Sequence, residues 1–143
     1  MSSSDTVTPS RPASRAKPLA AEARARPKTR RGDLFAAACP SRQILNHVTG
    51  RWGSLVLVAL LEGTLRFSEL RRRIDGVSER MLAQALQDLE LDGFVSRHAH
   101  PVMPPRVDYT LTPMGYEIGL HVRELADWVE GNLPRIQRHR AAG

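Results

Sequence analysis

The sequence predicts an α+β fold that is mainly helical, with a two- to three-stranded β-ribbon and a long helix towards the C-terminal end. Three observations predict this class: apolar side chains recur at helical spacing, two alternating segments flank a proline-containing loop, and capping residues precede the helical segments. Hydrophobic residues make up 41% and charged residues 25% of the 143 residues, which is ordinary for a globular protein. We expect one domain at residues 33–138, between an arm at residues 1–32 and a flexible tail at residues 139–143.

The arm differs from the rest of the chain in composition and charge. It is rich in Ser, Pro, Ala and Arg and has few large apolar side chains, so we expect it to be disordered. Residues 1–31 hold eight basic and two acidic side chains, and this balance of 8 − 2 = +6 equals the formal net charge of the whole chain. The arm could also be a transit peptide, which has a similar composition. The remaining sequence is neutral, so its net charge is no argument for nucleic-acid binding by the domain.

Two helices are predicted at the start of the domain, separated by Gly50. Ser41 can cap the first helix, which runs through His47, and Gly63 closes the second helix, Arg51 to Glu62. The second helix carries apolar residues at helical spacing, which predicts that it faces the core. This predicted stripe consists of Trp52, Leu55, Val56, Ala59 and Leu60.

A short extended link, residues 64–67, leads to a two-turn helix that Ser68 precedes, from Glu69 to Ile74. A tight turn around Gly76 follows, and Ser78 is well placed as the N-cap of a longer helix, Glu79 to Leu91. We expect one side of the longer helix to be buried, and its apolar positions are Met81, Leu82, Ala85, Leu86 and Leu89.

Alternating residues predict two strands, Phe94 to His98 and Val107 to Leu111, around a proline-containing loop at residues 100–105. Thr112 and Pro113 then have the N-cap and N1 signature of a last helix that ends before Pro134. A helix, a glycine turn, a second capped helix and a β-ribbon are the parts of a winged helix-turn-helix, whose second helix enters the DNA major groove.

The exposed face of the helix after Ser78 has side chains suited to base recognition. Removing the apolar stripe leaves Ser78, Arg80, Ala83, Gln84 and Gln87. Arginine can pair with guanine and glutamine with adenine, while a small alanine allows contact with a thymine methyl group. The predicted DNA contacts outside this helix, mainly to phosphates, are Ser68, Arg71, Arg72, Arg97 and Arg106. The alternative for these glutamines and arginines is a solvated surface without a partner.

Several motifs together resemble the HxlR family of transcription regulators over residues 39 to about 138. They are Cys39-Pro40, Gly50-Arg51-Trp52, Leu65-Arg66-Phe67-Ser68-Glu69-Leu70, Ser78-Glu79-Arg80-Met81-Leu82, Leu89-Glu90-Leu91-Asp92-Gly93 and the segment from Pro104 to Thr112. The resemblance implies a bacterial, cytoplasmic regulator that binds an inverted-repeat operator in double-stranded DNA. It also implies a homodimer formed by the terminal helices.

The resemblance implies a role for Cys39 as a candidate sensor of electrophiles or disulfide stress. Arg42, about one turn further along, is a cation that would favour the thiolate. Because the sequence has one cysteine, any disulfide would join two chains or a chain and a small thiol. The alternative is a small, partly buried apolar side chain at the edge of the domain.

The last helix has a broad apolar face that predicts a dimer interface, formed by Val122, Leu125, Trp128 and Val129. An effector pocket lined by these residues is the alternative.

His98 and His100 would lie on the same side of a strand, but two ligands do not complete a metal site. His47 and His121 lie on predicted helices, where we expect packed or capping side chains.

Other classes of function are disfavoured by the sequence. It has no glycine-rich phosphate loop, no nucleophile elbow and no grouped acids and histidines, so we expect neither an enzyme nor a bound cofactor or metal. The longest apolar run, Leu55 to Leu61, is too short to cross a bilayer, so we expect a soluble protein. The remaining alternative is a winged helix used for protein-protein contact or for non-specific nucleic-acid binding.

Overall fold

The computed structural model describes residues 33–143, and the predicted basic arm at residues 1–32 lies outside them. The chain divides into two units, with the boundary between Ser41 and Arg42. The described part of the first unit begins with a turn at Asp33, whose carbonyl accepts a hydrogen bond from the Ala36 N–H at 2.9 Å. The second unit, residues 42–143, contains the hydrophobic core and the predicted winged helix-turn-helix.

The described residues form helices and strands in the predicted order, with one further helix at the C-terminal end, which confirms the mainly helical α+β class. The elements are α1 (Pro40–Thr49), α2 (Arg51–Leu60), β1 (Leu65–Arg66), α3 (Phe67–Arg73), α4 (Glu79–Leu91), β2 (Val95–His100), β3 (Arg106–Leu111), α5 (Pro113–Gly131) and α6 (Leu133–Ala142). Helices α3 and α4 are the helix-turn-helix, and β2, β3 and the loop between them form the wing.

Capping sets the ends of the helix-turn-helix. The hydroxyl of Ser78 accepts a hydrogen bond from the Met81 N–H at 3.1 Å, so α4 begins where the sequence predicts. Helix α3 begins at Phe67, before the predicted Ser68, because the Glu69 carboxylate accepts the Arg66 N–H at 2.8 Å. Gly76 in the connecting turn has a φ of 88°, a conformation that residues other than glycine rarely adopt.

The three strands form an antiparallel sheet in the order β1-β3-β2, within the predicted range of two to three strands. Leu65 lies opposite Tyr109, and the β2-β3 ladder runs from the Val95–Leu111 pair to the His100–Arg106 pair. Both strands of the wing therefore continue further towards the loop than the sequence predicts. The sheet is held against the helices by buried side chains of β2 and β3.

The core lies between α2, α4 and the sheet, and its fully buried side chains are Val56, Leu57, Leu60, Leu70, Leu82, Leu86 and Leu89. Two predicted core residues are wrong: Leu55 is 46% exposed and Met81 is 48% exposed. Both lie on the flank of their helix, about 100° or more around the axis from the centre of the buried side. Leu57, which the predicted stripe omitted, occupies the core in place of Leu55.

The C-terminal helices differ from the prediction at one point. The Thr112 hydroxyl caps α5 by accepting the Gly115 N–H at 3.0 Å, as predicted. A second helix, α6, then continues to Ala142, so the expected flexible tail at residues 139–143 is helical over most of its length. The reason is that Pro134 stands in the first turn of α6, where a missing N–H removes no helical hydrogen bond.

Candidate DNA-binding surface

The exposed face of α4 and the N-cap residue before it contain all five residues predicted to recognise bases. The exposed residues are Ser78, Arg80, Ala83, Gln84 and Gln87. Leu82, Leu86 and Leu89 lie on the opposite side and are at most 2% exposed, so the helix is firmly packed on that side alone. The rigid attachment of α4 to the core fixes which side chains it presents to a partner.

The arginines of α3 differ in their contacts. Arg71 Nη1 lies 3.2 Å from Glu79 Oε2 and so joins the two helices of the helix-turn-helix. Arg73 Nη2 lies 2.6 Å from Glu62 Oε2, and this hydrogen bond, followed by the charge of Arg73, lowers the pKa of Glu62. Arg72 and Ser68 are exposed. The predicted phosphate contacts of α3 are therefore accessible, but Arg71 is already engaged with a carboxylate.

The wing holds the other two predicted arginines. Arg97 is exposed on β2, and Arg106 begins β3 with its Nε 3.6 Å from Asp108 Oδ1. His100 Nε2 lies 2.7 Å from Asp108 Oδ2, and this hydrogen bond is the main cause of the lowered pKa of Asp108. The rings of His98 and His100 meet edge to face with centroids 4.7 Å apart, which confirms that they share one side of the strand.

Two clefts connect these side chains across the surface. A cleft of about 500 Å³ separates the start of α3 from the wing, and Arg66, Ser68 and Arg106 line it together with apolar residues of the wing loop. A cleft of about 240 Å³ lies between α4 and the sheet, where Ala83 and Gln87 face Arg97. Arg66 was missed by the sequence analysis, because only the pairing of β1 with β3 brings it near Arg106.

The other flank of α4 faces α1 and the start of α2. A cleft of about 230 Å³ is lined there by Met81, Gln84, Asp88, Asn46, His47, Gly50, Arg51 and Trp52, among others. The Gln84 side chain donates to Asp88 Oδ1 at 3.0 Å, and His47 Nδ1 lies 2.6 Å from Asp92 Oδ2. His47 is partly buried between two elements, and the spacing of residues along one helix gives no signal for this contact.

The predicted dimer residues on α5 divide into two groups. Leu125, Trp128 and Val129 are exposed, with 55% of the Trp128 surface accessible. Val122 is 8% exposed and belongs to the hydrophobic core, and α5 packs against α2. An apolar cleft of about 170 Å³ beside it is lined by Val48, Thr49, Ser54, Val122, Leu125 and Ala126.

Cys39 lies immediately before α1 and is 6% exposed. Its backbone N–H donates to the Ala36 carbonyl at 3.1 Å. The thiol is thus buried at the point where the turn at residues 33–39 meets the helix.

Among residues 33–143, no three His, Cys, Asp or Glu side chains are grouped so that they could hold a metal ion. No helix in this part of the chain is both long and apolar enough to cross a membrane.

Comparison with known proteins gives a consistent set of matches. The family profile described as HxlR-like helix-turn-helix matches residues 47–137. The chain is 63% identical over 105 residues to the uncharacterized HTH-type transcriptional regulator YtfH of Escherichia coli (strain K12), over 73% of this chain and 83% of that protein. A solved structure of ytfH from Salmonella typhimurium has a TM-score of 0.75 at 58% identity, and the match covers 78% of this chain and 99% of that one. The redox regulator HypR in its reduced form has a TM-score of 0.63 at 31% identity, over 69% of this chain and 98% of that one.

Proposed function

The chain belongs to the HxlR-like helix-turn-helix family of transcriptional regulators, and we propose that it recognises a specific inverted-repeat operator as a homodimer. Helix α4 enters the major groove of double-stranded DNA, and the protein acts by binding and not by catalysis. The observation that carries this proposal is the division of α4 into a side of buried leucines and an exposed polar side. In a bacterial cell such a regulator acts in the cytoplasm, at the nucleoid.

Base recognition is assigned to the exposed face of α4. The Arg80 guanidinium can donate two hydrogen bonds to a guanine, and the Gln84 or Gln87 amide can pair with an adenine. Ala83 leaves space for a thymine methyl group, and Ser78 lies at the N-terminal end of the helix, which is positive and suits a phosphate.

Phosphate contacts are assigned to the clefts on either side of α4. The wide cleft between α3 and the wing places Ser68, Arg66 and Arg106 around one concave surface. Arg97 faces α4 across the narrow cleft, and Arg71 and Arg72 extend the basic surface along α3. These contacts orient the protein on DNA and carry little sequence information.

The homodimer is assigned to the exposed part of the α5 surface. Leu125, Trp128 and Val129 are exposed apolar side chains on one helix, and such surfaces in soluble proteins commonly mark an interface. A second copy of the chain explains this surface without a further partner, and twofold symmetry would place two α4 helices on an inverted repeat. Val122, which packs in the core, is not assigned to the interface.

Selection from a random duplex library separates this proposal from a winged helix used for protein contact or non-specific binding. We expect the wild-type chain to enrich an inverted repeat, and the double variant Arg80→Ala, Gln84→Ala to lose preference for it. Each bidentate base contact contributes about 1–3 kcal/mol of discrimination, so the specificity ratio should fall at least about tenfold. The matched control is Gln137→Ala, Arg138→Ala, which removes the same side-chain types from exposed positions on α6. An unchanged preference in the α4 variant would contradict the proposal.

A redox response of the same regulator is a second candidate, favoured by the likeness to HypR and by the position of Cys39. We propose that two Cys39 thiols from two protomers, or Cys39 and a small thiol, lose two protons and two electrons to an oxidant such as an azo compound and form a disulfide. Because the thiol is buried, local opening must precede the reaction, which should therefore be slow.

The redox candidate is tested with diamide, which accepts the two electrons and two protons. We expect a dimer band or a mass increase on a non-reducing gel or in mass spectrometry, together with a changed operator affinity that dithiothreitol reverses. The Cys39→Ser variant is the control and should show neither change. Modification of Cys39 without any change in operator affinity would contradict the redox role.

A further inference from the structure

We propose that His47 of α1 is a positioning residue for base recognition, because it and Asp88 set the orientation of the Gln84 amide on α4. The inference rests on the proposed function, since it concerns how one of the base-recognising side chains is held. It assigns a role in specificity to a residue of α1, although none of the residues proposed to recognise bases lies on that helix.

Polar side chains of α1 and α4 lie in a row from the end of α4 back to its exposed face, with hydrogen bonds at both ends and a wider separation between His47 and Asp88. His47 Nδ1 lies 2.6 Å from Asp92 Oδ2, and His47 Nε2 lies 4.0 Å from Asp88 Oδ2. The other oxygen of Asp88, Oδ1, accepts a hydrogen bond from Gln84 Nε2 at 3.0 Å. The side chain of Asp92 is 11% exposed and those of His47 and Asp88 are 30% exposed, so water competes only in part for the His47 contacts, whereas the hydrogen bond between Gln84 and Asp88 is exposed.

The contact with Asp88 decides which end of the Gln84 amide is available. A free glutamine amide can rotate by 180°, which exchanges the donor NH₂ and the acceptor oxygen. A carboxylate can only accept, so Asp88 holds the NH₂ group of Gln84 towards itself. The carbonyl oxygen and the second N–H remain for a base, and adenine needs one acceptor and one donor in the major groove.

The position of the acids is unfavourable for the helix itself, which supports a role outside helix stability. The C-terminal end of a helix carries a partial negative charge, and acids there are normally destabilising. Asp88 and Asp92 both stand at this end of α4, and its last turn contains no basic residue. The imidazole of His47 is hydrogen-bonded to Asp92 and lies 4.0 Å from Asp88, so we assign to it the positioning of these carboxylates.

A purely structural role for the same contacts makes a different prediction. If His47 only attached α1 to α4, its loss would weaken binding to every sequence by a similar factor. If it positions Gln84, its loss changes the preference at one base pair in each half-site. The decisive measurement is therefore base preference at each position of the operator, and not overall affinity.

The experiment selects duplexes from a random library with the full chain and sequences the bound pool. The variants are Gln84→Ala, His47→Ala, Asp88→Ala and the isosteric Asp88→Asn, which guards against misfolding of the alanine variants. Arg73→Ala is the matched control, because it breaks the 2.6 Å contact with Glu62 at a place remote from Gln84. We expect Gln84→Ala to lose the preference at one base pair of each half-site. His47→Ala and both Asp88 variants should weaken the preference at that same pair about threefold to tenfold and leave the other positions unchanged.

Hydrogen exchange of the Gln84 side-chain amide gives a second readout that requires no DNA. We expect this exchange to be faster in His47→Ala and Asp88→Asn than in the wild type or in Arg73→Ala. The inference is overturned if the His47 and Asp88 variants keep the wild-type base preference, or lose affinity equally for all sequences. If the wild type enriches no sequence, the proposed function fails as well. If the wild type is selective and the His47 and Asp88 variants keep its preference at the base pair that depends on Gln84, only the inference is contradicted.

Discussion

Leu82, Leu86 and Leu89 decide which side of α4 is exposed, since each is at most 2% accessible and all three face the core. Their neighbours on the other side of the same helix can then be polar at little cost in stability. Leu91, in the last turn of α4, shows the contrast between the two sides, because 78% of its surface is accessible. Leucines of one helix thus lie in two different environments, the core and the solvent.

Leu86→Ala should destabilise the protein strongly, because it removes a buried side chain and leaves a cavity between α2, α4 and the sheet. We expect the free energy of unfolding to fall by about 2–5 kcal/mol. Urea denaturation followed by circular dichroism measures this difference. Leu91→Ala is the matched control on the same helix and should change the stability by about 0.5 kcal/mol or less. Equal effects of the two substitutions would contradict the assigned packing of α4.

Comparison of the predicted and observed elements shows which parts of the structure can be predicted from the sequence. Helices α4 and α5 begin where predicted, because Ser78 and Thr112 cap them through contacts three residues away. Leu55 and Met81 were assigned to the core incorrectly, because periodicity gives a helix face but not how far neighbouring elements cover its flanks. Pro134 was taken as a helix end, although the same residue is equally suited to the first turn of α6.

Contacts between distant elements could not be predicted from local pattern at all. His47 and Asp92 are 45 residues apart, and their contact exists only because α1 lies beside the end of α4. Arg66 and Arg106 line one cleft for a similar reason, since pairing of β1 with β3 brings them together. The composition of the candidate base-recognising face was predictable, whereas the residues that support it were not.

The wing contains a carboxylate, Asp108, whose protonation should affect the pH dependence of stability. The hydrogen bond from His100 lowers the pKa of Asp108 below its ordinary value of 3.8, so the charged form is favoured in the folded protein. This contribution is present above the ordinary pKa and is lost as the pH falls through the lowered one. We therefore expect Asp108→Asn to lower the melting temperature at pH 6, and the difference from wild type to shrink below about pH 3.8.

Asp75→Asn, in the turn between α3 and α4, is the control for removal of an exposed carboxylate. Melting temperatures of wild type and both variants should be compared between pH 3 and pH 7. A difference between Asp108→Asn and wild type that stays constant over this range would show that the charged form of Asp108 makes no contribution to the wing.

At the scale of the whole molecule, the excess positive charge lies in the N-terminal arm and not in the domain. Residues 1–31 carry the full formal excess of +6, and the remaining sequence is neutral. Deletion of residues 1–31 should therefore reduce the affinity for all DNA sequences while preserving the base preference of the domain. Each phosphate contact that is lost reduces the slope of log K against log salt by about 0.9. Fluorescence anisotropy at several salt concentrations measures the slope, and an identical slope for the truncated chain would contradict this role of the arm.

Assembly of two chains is the last property that the proposed function requires. Leu125 and Trp128 are more than half exposed on α5, so a charge at Leu125 is tolerable in a monomer but would be buried without a partner in a dimer. We expect Leu125→Asp to shift the chain to monomer in analytical ultracentrifugation while its circular dichroism spectrum is retained. Operator affinity should then fall by about two orders of magnitude or more, because the two half-sites are no longer bound by one linked unit. The matched control Leu91→Asp places the same charge at an exposed leucine of α4 and should leave the dimer intact. A monomeric wild type, or a Leu125→Asp variant that stays dimeric, would move the interface away from this face of α5.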